Sequence, residues 1–176
     1  MKTSTTTLAL AASLLFVAGI GVGVAARKLT DPASYHGLDA KDAARNLLEV
    51  ARVQADGGSW ELIAVGRVAY LSGDKAQGQA VFDALLYGDH EDSDVYRIGR
   101  VYAEAGEWAK AKPLFDGYVQ RNPKDKTEIA TIGAYYLLNG DRATAEQLFD
   151  QAFALKPELW ATVAAAGAYA GVPPQE

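Results

Sequence analysis

Apolar positions along residues 39–170 fall at helical spacing, and the pattern recurs. Val95, Ile98, Gly99 and Tyr102 lie at i, i+3, i+4 and i+7, one face of a helix. Gly106-Glu107 predicts its stop. Glycine takes the left-handed backbone a helix end favours, and the acid suits the positive start of the next helix. Ala111, Phe115 and Tyr118 then give a second apolar stripe, which Asn122-Pro123 ends because proline cannot continue a helix. The same order returns with Ile129, Ile132, Gly133 and Tyr136, then Gly140-Asp141, then Ala145, Phe149 and Ala152, then Lys156-Pro157. An earlier copy reads Leu62, Val65, Gly66 and Ala69, then Gly73-Asp74, then Gly78, Phe82 and Leu85. Pro113 is the misfit: it lies just past the first turn of its helix and predicts a loosened or kinked segment.

The copies keep a fixed period. Gly66, Gly99, Gly133 and Gly167 step by 33, 34 and 34. Gly73, Gly106 and Gly140 step by 33 and 34, as do Phe82, Phe115 and Phe149. Glycine or alanine where two helices cross lets their axes approach, and the aromatics fill the space beside the crossing. Each helical pair then exposes a second apolar face that only the next pair can bury, so such units are stable only when stacked.

These residues resemble the tetratricopeptide repeat. Its motif sets a large apolar residue, Leu-Gly and Tyr on a first helix, then Ala, an aromatic, Ala and Pro, at the longer of these two steps. Residues 92–125 match with Val95, Ile98-Gly99, Tyr102, Ala111, Phe115 and Pro123. Residues 126–159 match with Ile129, Ile132-Gly133, Tyr136, Ala145, Phe149, Ala152 and Pro157. Residues 59–91 depart at two places: Gly78 replaces the small alanine, and His90 stands at the proline position. The resemblance implies an all-α superhelix, a solenoid of stacked antiparallel helix pairs, with three repeats over 59–159. Residues 39–58, headed by Asp39 and stopped by Gly57-Gly58, read as a capping helix, the second half of an incomplete repeat. Its Ala44, Leu48 and Ala51 stand one repeat length before Gly78, Phe82 and Leu85. Residues 160–176 read as a C-terminal capping helix and tail, with Val163, Ala166, Gly167 and Ala170 in phase, Gly171 and Pro173-Pro174 as the stop, and Trp160 placed to cover the end of the array. About eight helices are expected.

In this family the first helices of successive pairs line a concave groove that binds peptides. Here the groove positions include Ile63, Arg67 and Tyr70, then Tyr96, Arg97, Arg100 and Ala103, then Thr127, Ala130, Thr131, Ala134 and Leu137. The expected peptide-binding set is Ile63, Arg67, Tyr70, Tyr96, Arg97, Arg100, Ala134 and Leu137. Arginine offers a planar fork for carboxylates and tyrosine gives contact area at low entropic cost, so an acidic group beside an apolar one would suit this groove. The competing reading has the arginines paired within the array, Arg100 with Glu104 and Arg97 with Asp94, each one helical turn apart. The Lys/Asn clamp with which one subgroup holds chaperone C-termini is not supported, because its positions hold Ile63, Arg67, Arg97, Thr127 and Thr131.

The start of the chain belongs to another class of segment. Lys2 and a Thr/Ser-rich stretch precede an uncharged run from Leu8 to Ala26. A positive start, an apolar middle and small residues at Val24-Ala25-Ala26 describe a signal peptide cleaved after Ala26. The same run is also close to the roughly 20 residues that cross a bilayer, so a retained anchor over residues 8–26 stays open. Gly19 and Gly23 have the small-xxx-small spacing of packed membrane helices. Both readings imply a bacterial envelope protein, periplasmic or exported in the first case and held at the inner membrane in the second. Residues 27–38 show no period and contain Pro32 and Gly37, so they read as a linker.

Composition narrows the chemistry. The 176 residues carry 17 Lys+Arg against 22 Asp+Glu, a formal charge of −5, which argues against a nucleic-acid partner. With no cysteine, disulfides, thiolate metal sites and lipidation at cysteine are excluded. His36 and His90 are distant in sequence and lack ligand spacing. The acidic run Asp89, Glu91, Asp92 and Asp94 lacks an EF-hand's glycine and closing acid, and reads as a solvated turn. No nucleophile motif or phosphate loop is present. The expectation is a non-enzyme without cofactor or metal: an adaptor for other proteins or peptides of the envelope, with membrane contact only through residues 8–26. Self-association, as a structural component of an envelope, pilus or secretion complex, is the alternative.

Overall fold

The structure is a computed structural model that describes residues 29–156 and 158–175. The signal or anchor segment, Arg27-Lys28 of the linker, Pro157 and Glu176 lie outside the described residues. The described residues are all-helical and neighbouring helices pack in pairs, as the repeat pattern requires. The chain falls into two units, Met1–Gln54 and Ala55–Glu176.

In the first unit the expected linker carries a 3-10 turn at Pro32–Ser34, capped by the Asp31 side chain, which accepts from the Ala33 N–H. Helix α1 (Ala40–Gln54) follows. Asp39 starts it as anticipated, its Oδ1 accepting from the amides of Lys41 (2.9 Å) and Asp42 (3.1 Å), donors the first turn would otherwise leave unsatisfied. Ala44, Leu48 and Ala51 are all half-buried, while no residue of α1 is fully buried.

The second unit holds α2 (Ser59–Leu71), α3 (Lys75–Tyr87), α4 (Asp92–Glu104), α5 (Trp108–Arg121), α6 (Lys126–Leu138), α7 (Arg142–Leu155) and α8 (Leu159–Tyr169). The pairs are α2 with α3, α4 with α5, and α6 with α7, while α8 packs on α6. Each pair closes on the same socket. A Cβ placed on Gly66, Gly99 or Gly133 would lie 2.7, 2.9 or 2.9 Å from Cε1 of Phe82, Phe115 or Phe149. The glycine of the first helix is therefore the hole, and the phenylalanine of the second helix is the knob. Phe82 and Phe115 are fully buried and Phe149 nearly so.

The turns between paired helices follow from backbone chemistry. Gly106 (φ 73°) and Gly140 (φ 86°) sit in the left-handed region. At each, two bonds close the helix end: Gly106 N–H to Ala103 O with Glu107 N–H to Tyr102 O, and Gly140 N–H to Leu137 O with Asp141 N–H to Tyr136 O. This Schellman arrangement satisfies the last carbonyls and reverses the chain. Asp74 and Asp141 then cap the following helices, accepting from Gln77 N–H and Thr144 N–H. Helix α5 runs through Pro113 without a break to Arg121; the exposed ring costs one backbone bond but does not end the helix.

Between the second and third pairs the space is filled by large rings. Phe115 stacks on Tyr135 with centroids 5.4 Å apart, and Trp108 meets Tyr136 edge-on at 4.9 Å. At the C-terminal end small residues do this work: Ala161, Ala164, Ala165 and Ala168 are the buried face of α8. The other face, which carries Val163, Ala166 and Ala170, is exposed, and Trp160 is 62% exposed. The stripe that α3, α5 and α7 cover on the earlier first helices has no helix over it here among the described residues. Trp160 therefore points out from the end and does not cover it. Gly167 is the fourth socket glycine, and it faces the chain's own tail: a Cβ there would meet the carbonyl oxygen of Val172 at 3.2 Å. A third Schellman turn brings the tail back, with Gly171 at φ 75°, Gly171 N–H to Ala168 O, and Val172 N–H to Gly167 O at 2.8 Å.

Candidate functional site

The side chains that diverge from the packing stripes of α2, α4 and α6 meet along one face of the second unit. An open cavity of about 530 Å³ lies there. Arg67 comes from α2, Arg100, Ala103 and Glu104 from α4, Tyr135 and Leu138 from α6, and Asn139 from its C-cap. Pro173 and Pro174 of the tail form a further wall. These residues share a face because each first helix starts at the same phase of the repeat and ends at the same edge.

Arg67, Arg100 and Ala103 are the expected groove positions that reach this cavity. Arg67 crosses to the next pair and holds Glu104: Nε donates to Oε2 at 2.8 Å, and Nη2 donates to Oε1. The partner expected for Arg100 thus binds an arginine of the preceding pair, because stacking brings α2 alongside α4. Arg100 lies near the Tyr96 ring, its guanidinium carbon 5.7 Å from the centroid. The cavity wall therefore carries two cations and one anion.

The other expected residues have different places. Tyr70 is buried, and the reason is local: the repeat's tyrosine position is Ala69 in this unit, and Tyr70 fills the space instead. Its ring lies 5.6 Å from both Phe82 and Tyr102. Its hydroxyl donates to Glu107 Oε2 at 2.6 Å and accepts from Lys110 Nζ at 2.8 Å. Ile63, Tyr96 and Ala134 are buried as well, and Leu137 is half-buried. Tyr96 packs on Phe115 and Tyr118. Arg97 is half-buried with its guanidinium carbon 3.4 Å from the centroid of the Trp60 ring, a cation–π stack. Its Nη1 is buried without a hydrogen-bond partner.

Polar groups around the groove are mostly committed to joining the pairs. Glu107 binds Lys110 (2.8 Å), Lys75 and Tyr70, and these hydrogen bonds hold its carboxyl at about 2. It thereby ties α2 and α3 to α5, where Asp74 and Asp141 at the equivalent turns serve as caps. Asp116 takes the Tyr136 hydroxyl and Lys112 Nζ at the next interface. At the other end of the first helices, burial and the hydrogen bond with Asp125 push Glu128 up to about 7. Burial also raises Asp125, but the hydrogen bonds with Glu128 and Tyr118 outweigh it and keep Asp125 below the usual carboxylate range. Below about pH 7 Glu128 therefore keeps its proton beside the ionised Asp125.

The expected acidic turn is resolved into separate tasks. Glu91 and Asp94 form a capping box on α4, and Ser59 Oγ donates to buried Asp94 at 2.9 Å. Asp92 accepts from Arg121 and from Asn122 Nδ2 (3.0 Å). Among the described residues no group of three or more His, Asp or Glu side chains is placed to hold a metal ion. His90 is exposed, with Nδ1 3.0 Å from the Gly88 carbonyl oxygen. No helix among the described residues is long and apolar enough to cross a membrane.

Glu104, Tyr135, Leu138, Asn139 and the two prolines were not part of the expected set. Glu104 and Leu138 occupy equivalent positions after the socket glycines Gly99 and Gly133, so the repeat phase held that signal. The tail had no periodic signal, though Gly171 marked its turn. The chain matches no family model, no curated protein and no solved structure.

Proposed function

We propose that this chain is a non-catalytic adaptor of the tetratricopeptide-repeat type, acting in the bacterial envelope and holding a peptide segment of another protein on the face formed by α2, α4 and α6. The observation that carries this reading is the open cavity walled by Arg67 and Arg100 beside the apolar surface of Ala103, Tyr135 and Leu138. Two guanidinium groups on one apolar wall suit a segment that brings a carboxylate next to an uncharged side chain. Export through residues 1–26, as a cleaved signal or an anchor, belongs to the same proposal. Recovery of crosslinked partners from the native envelope tests it. Arg67→Ala with Arg100→Ala should lower recovery at least about tenfold, the scale of one or two lost charge-assisted bonds. Unchanged recovery with an unchanged melting curve refutes the groove.

A second reading is self-association through α8. It is favoured by the exposed Leu159, Trp160 and Val163, which are 66, 62 and 49% accessible at the open end of the array. Sedimentation across a concentration series separates the two. A dimer abolished by Trp160→Glu supports association through this face, and a monomer at all concentrations removes it.

A further inference from the structure

The tail's course is the least expected feature of the second unit. After α8 the chain turns back on itself. The Schellman turn at Gly171 reverses it, Val172 O lies against Gly167, and Pro173 and Pro174 become a wall of the same cavity that Arg67 and Arg100 line. Pro174 is half-buried there, while Val172, Pro173 and Gln175 stay exposed. The sequence of this segment is Gly171-Val-Pro-Pro-Gln-Glu176. Two consecutive prolines favour the extended polyproline conformation, which carries little conformational entropy to lose on docking. The cavity offers what such a segment needs: apolar surface from Ala103 and Leu138, the Tyr135 side chain, and the flat guanidinium groups of Arg67 and Arg100.

We infer that the tail is an internal occupant of the groove. The groove therefore selects extended Pro-Pro segments, and an outside partner must displace Pro173 and Pro174 to bind. This rests on the adaptor reading and specifies its partner. Because the tail is tethered, its effective concentration is on the order of millimolar. With an intrinsic tail affinity of about 0.1 mM, such a competitor weakens the apparent affinity of an outside segment about tenfold.

The test uses the full chain and a variant ending at Val172, which keeps the turn and the contact at Gly167. The probe is a fluorescein-labelled, C-terminally amidated Gly-Val-Pro-Pro-Gln-Glu peptide, followed by polarisation. The shortened chain should bind it about tenfold more tightly than the full chain, and a probe with both prolines changed to alanine should lose that binding. Arg67→Ala with Arg100→Ala in the shortened chain should lose it too. A second measurement needs no ligand. The chain has no cysteine, so Ala103→Cys supplies a unique thiol in the cavity. Its alkylation should be several-fold faster in the shortened chain. Equal probe affinity for the two chains, no binding to the shortened chain, or equal alkylation rates each overturns the inference, provided that both chains melt alike. Failure here is distinct from failure of the adaptor reading. If the shortened chain ignores the probe while partner recovery still depends on Arg67 and Arg100, only the tail's role falls. If recovery is indifferent to both arginines, the adaptor reading falls.

Discussion

Gly78→Ala isolates how closely the first helix pair is packed. At this position the second and third pairs carry Ala111 and Ala145, both fully buried. On helix propensity alone, replacing a mid-helix glycine with alanine should stabilise by about 1 kcal/mol. The structure argues the opposite sign. A Cβ on Gly78 would lie 2.7 Å from the carbonyl oxygen of Gly66, 2.7 Å from Tyr70 Cβ and 2.9 Å from Tyr70 N. The carbon–carbon contact is roughly 1 Å inside the favourable ~3.5–4.0 Å separation. None of these atoms is the end of a flexible side chain, so relief requires α2 and α3 to separate. Overpacking of this kind costs about 1–3 kcal/mol, and backbone obstruction puts it at the upper end. Set against the propensity gain, a net loss of about 1–2 kcal/mol remains, lowering Tm by roughly 2–8 °C in a chain of this size. Thermal melts followed by far- and near-ultraviolet circular dichroism read this directly. Gly99→Ala is the internal comparison. There the nearest atom is Cε1 of the Phe115 ring at 2.9 Å, a side chain able to turn, so the loss should be smaller. A Tm for Gly78→Ala equal to or above that of the parent chain would show that the two helices are not held at this distance.

Two further perturbations have signed outcomes. The folded-state pKa of Glu128, about 7, lies above its unfolded value near 4.5, so the folded chain holds an extra proton between those values. Stability should therefore fall as pH rises from about 4.5 through 7, and urea titrations at pH 5 and pH 8 should show Glu128→Gln flattening that slope; an unaltered slope refutes the proton held on Glu128. Pro113→Ala should raise Tm, since it restores an amide donor inside α5 at an exposed position and removes a residue costing up to about 3 kcal/mol in a helix interior; a lower Tm would mean that the ring packs usefully where it stands.

The helices were legible because punctuation and periodicity agreed. Gly73, Gly106 and Gly140 stop the first helices through their left-handed backbones, and Asn122 and Lys156 are the C-caps that precede prolines. The socket glycines and phenylalanines were readable as a repeat before any contact was known. The site was less legible, for two reasons. A departure in one copy shifts its neighbours: with Ala69 at the tyrosine position, Tyr70 moves inward and ceases to be a surface group. Partners across the stack also come from other repeats, so the local pairing of Arg100 with Glu104 missed the bidentate grip of Arg67 on that carboxylate. The path of the tail depends on a single turn and on an unfilled socket, neither of which a period can announce.

That socket ties the groove to the integrity of the array's far end. Phe82, Phe115 and Phe149 plug the first three glycines from covalently continuous helices, whereas among the described residues Gly167 meets Val172 alone, an exposed residue on the same short strap that continues into the groove. A guest that peels back the strap as far as its valine uncorks the last helix in the same motion. Docking at the inner face and loosening of α8 would then share one latch, and the rim of the solenoid would register whether its trough is filled.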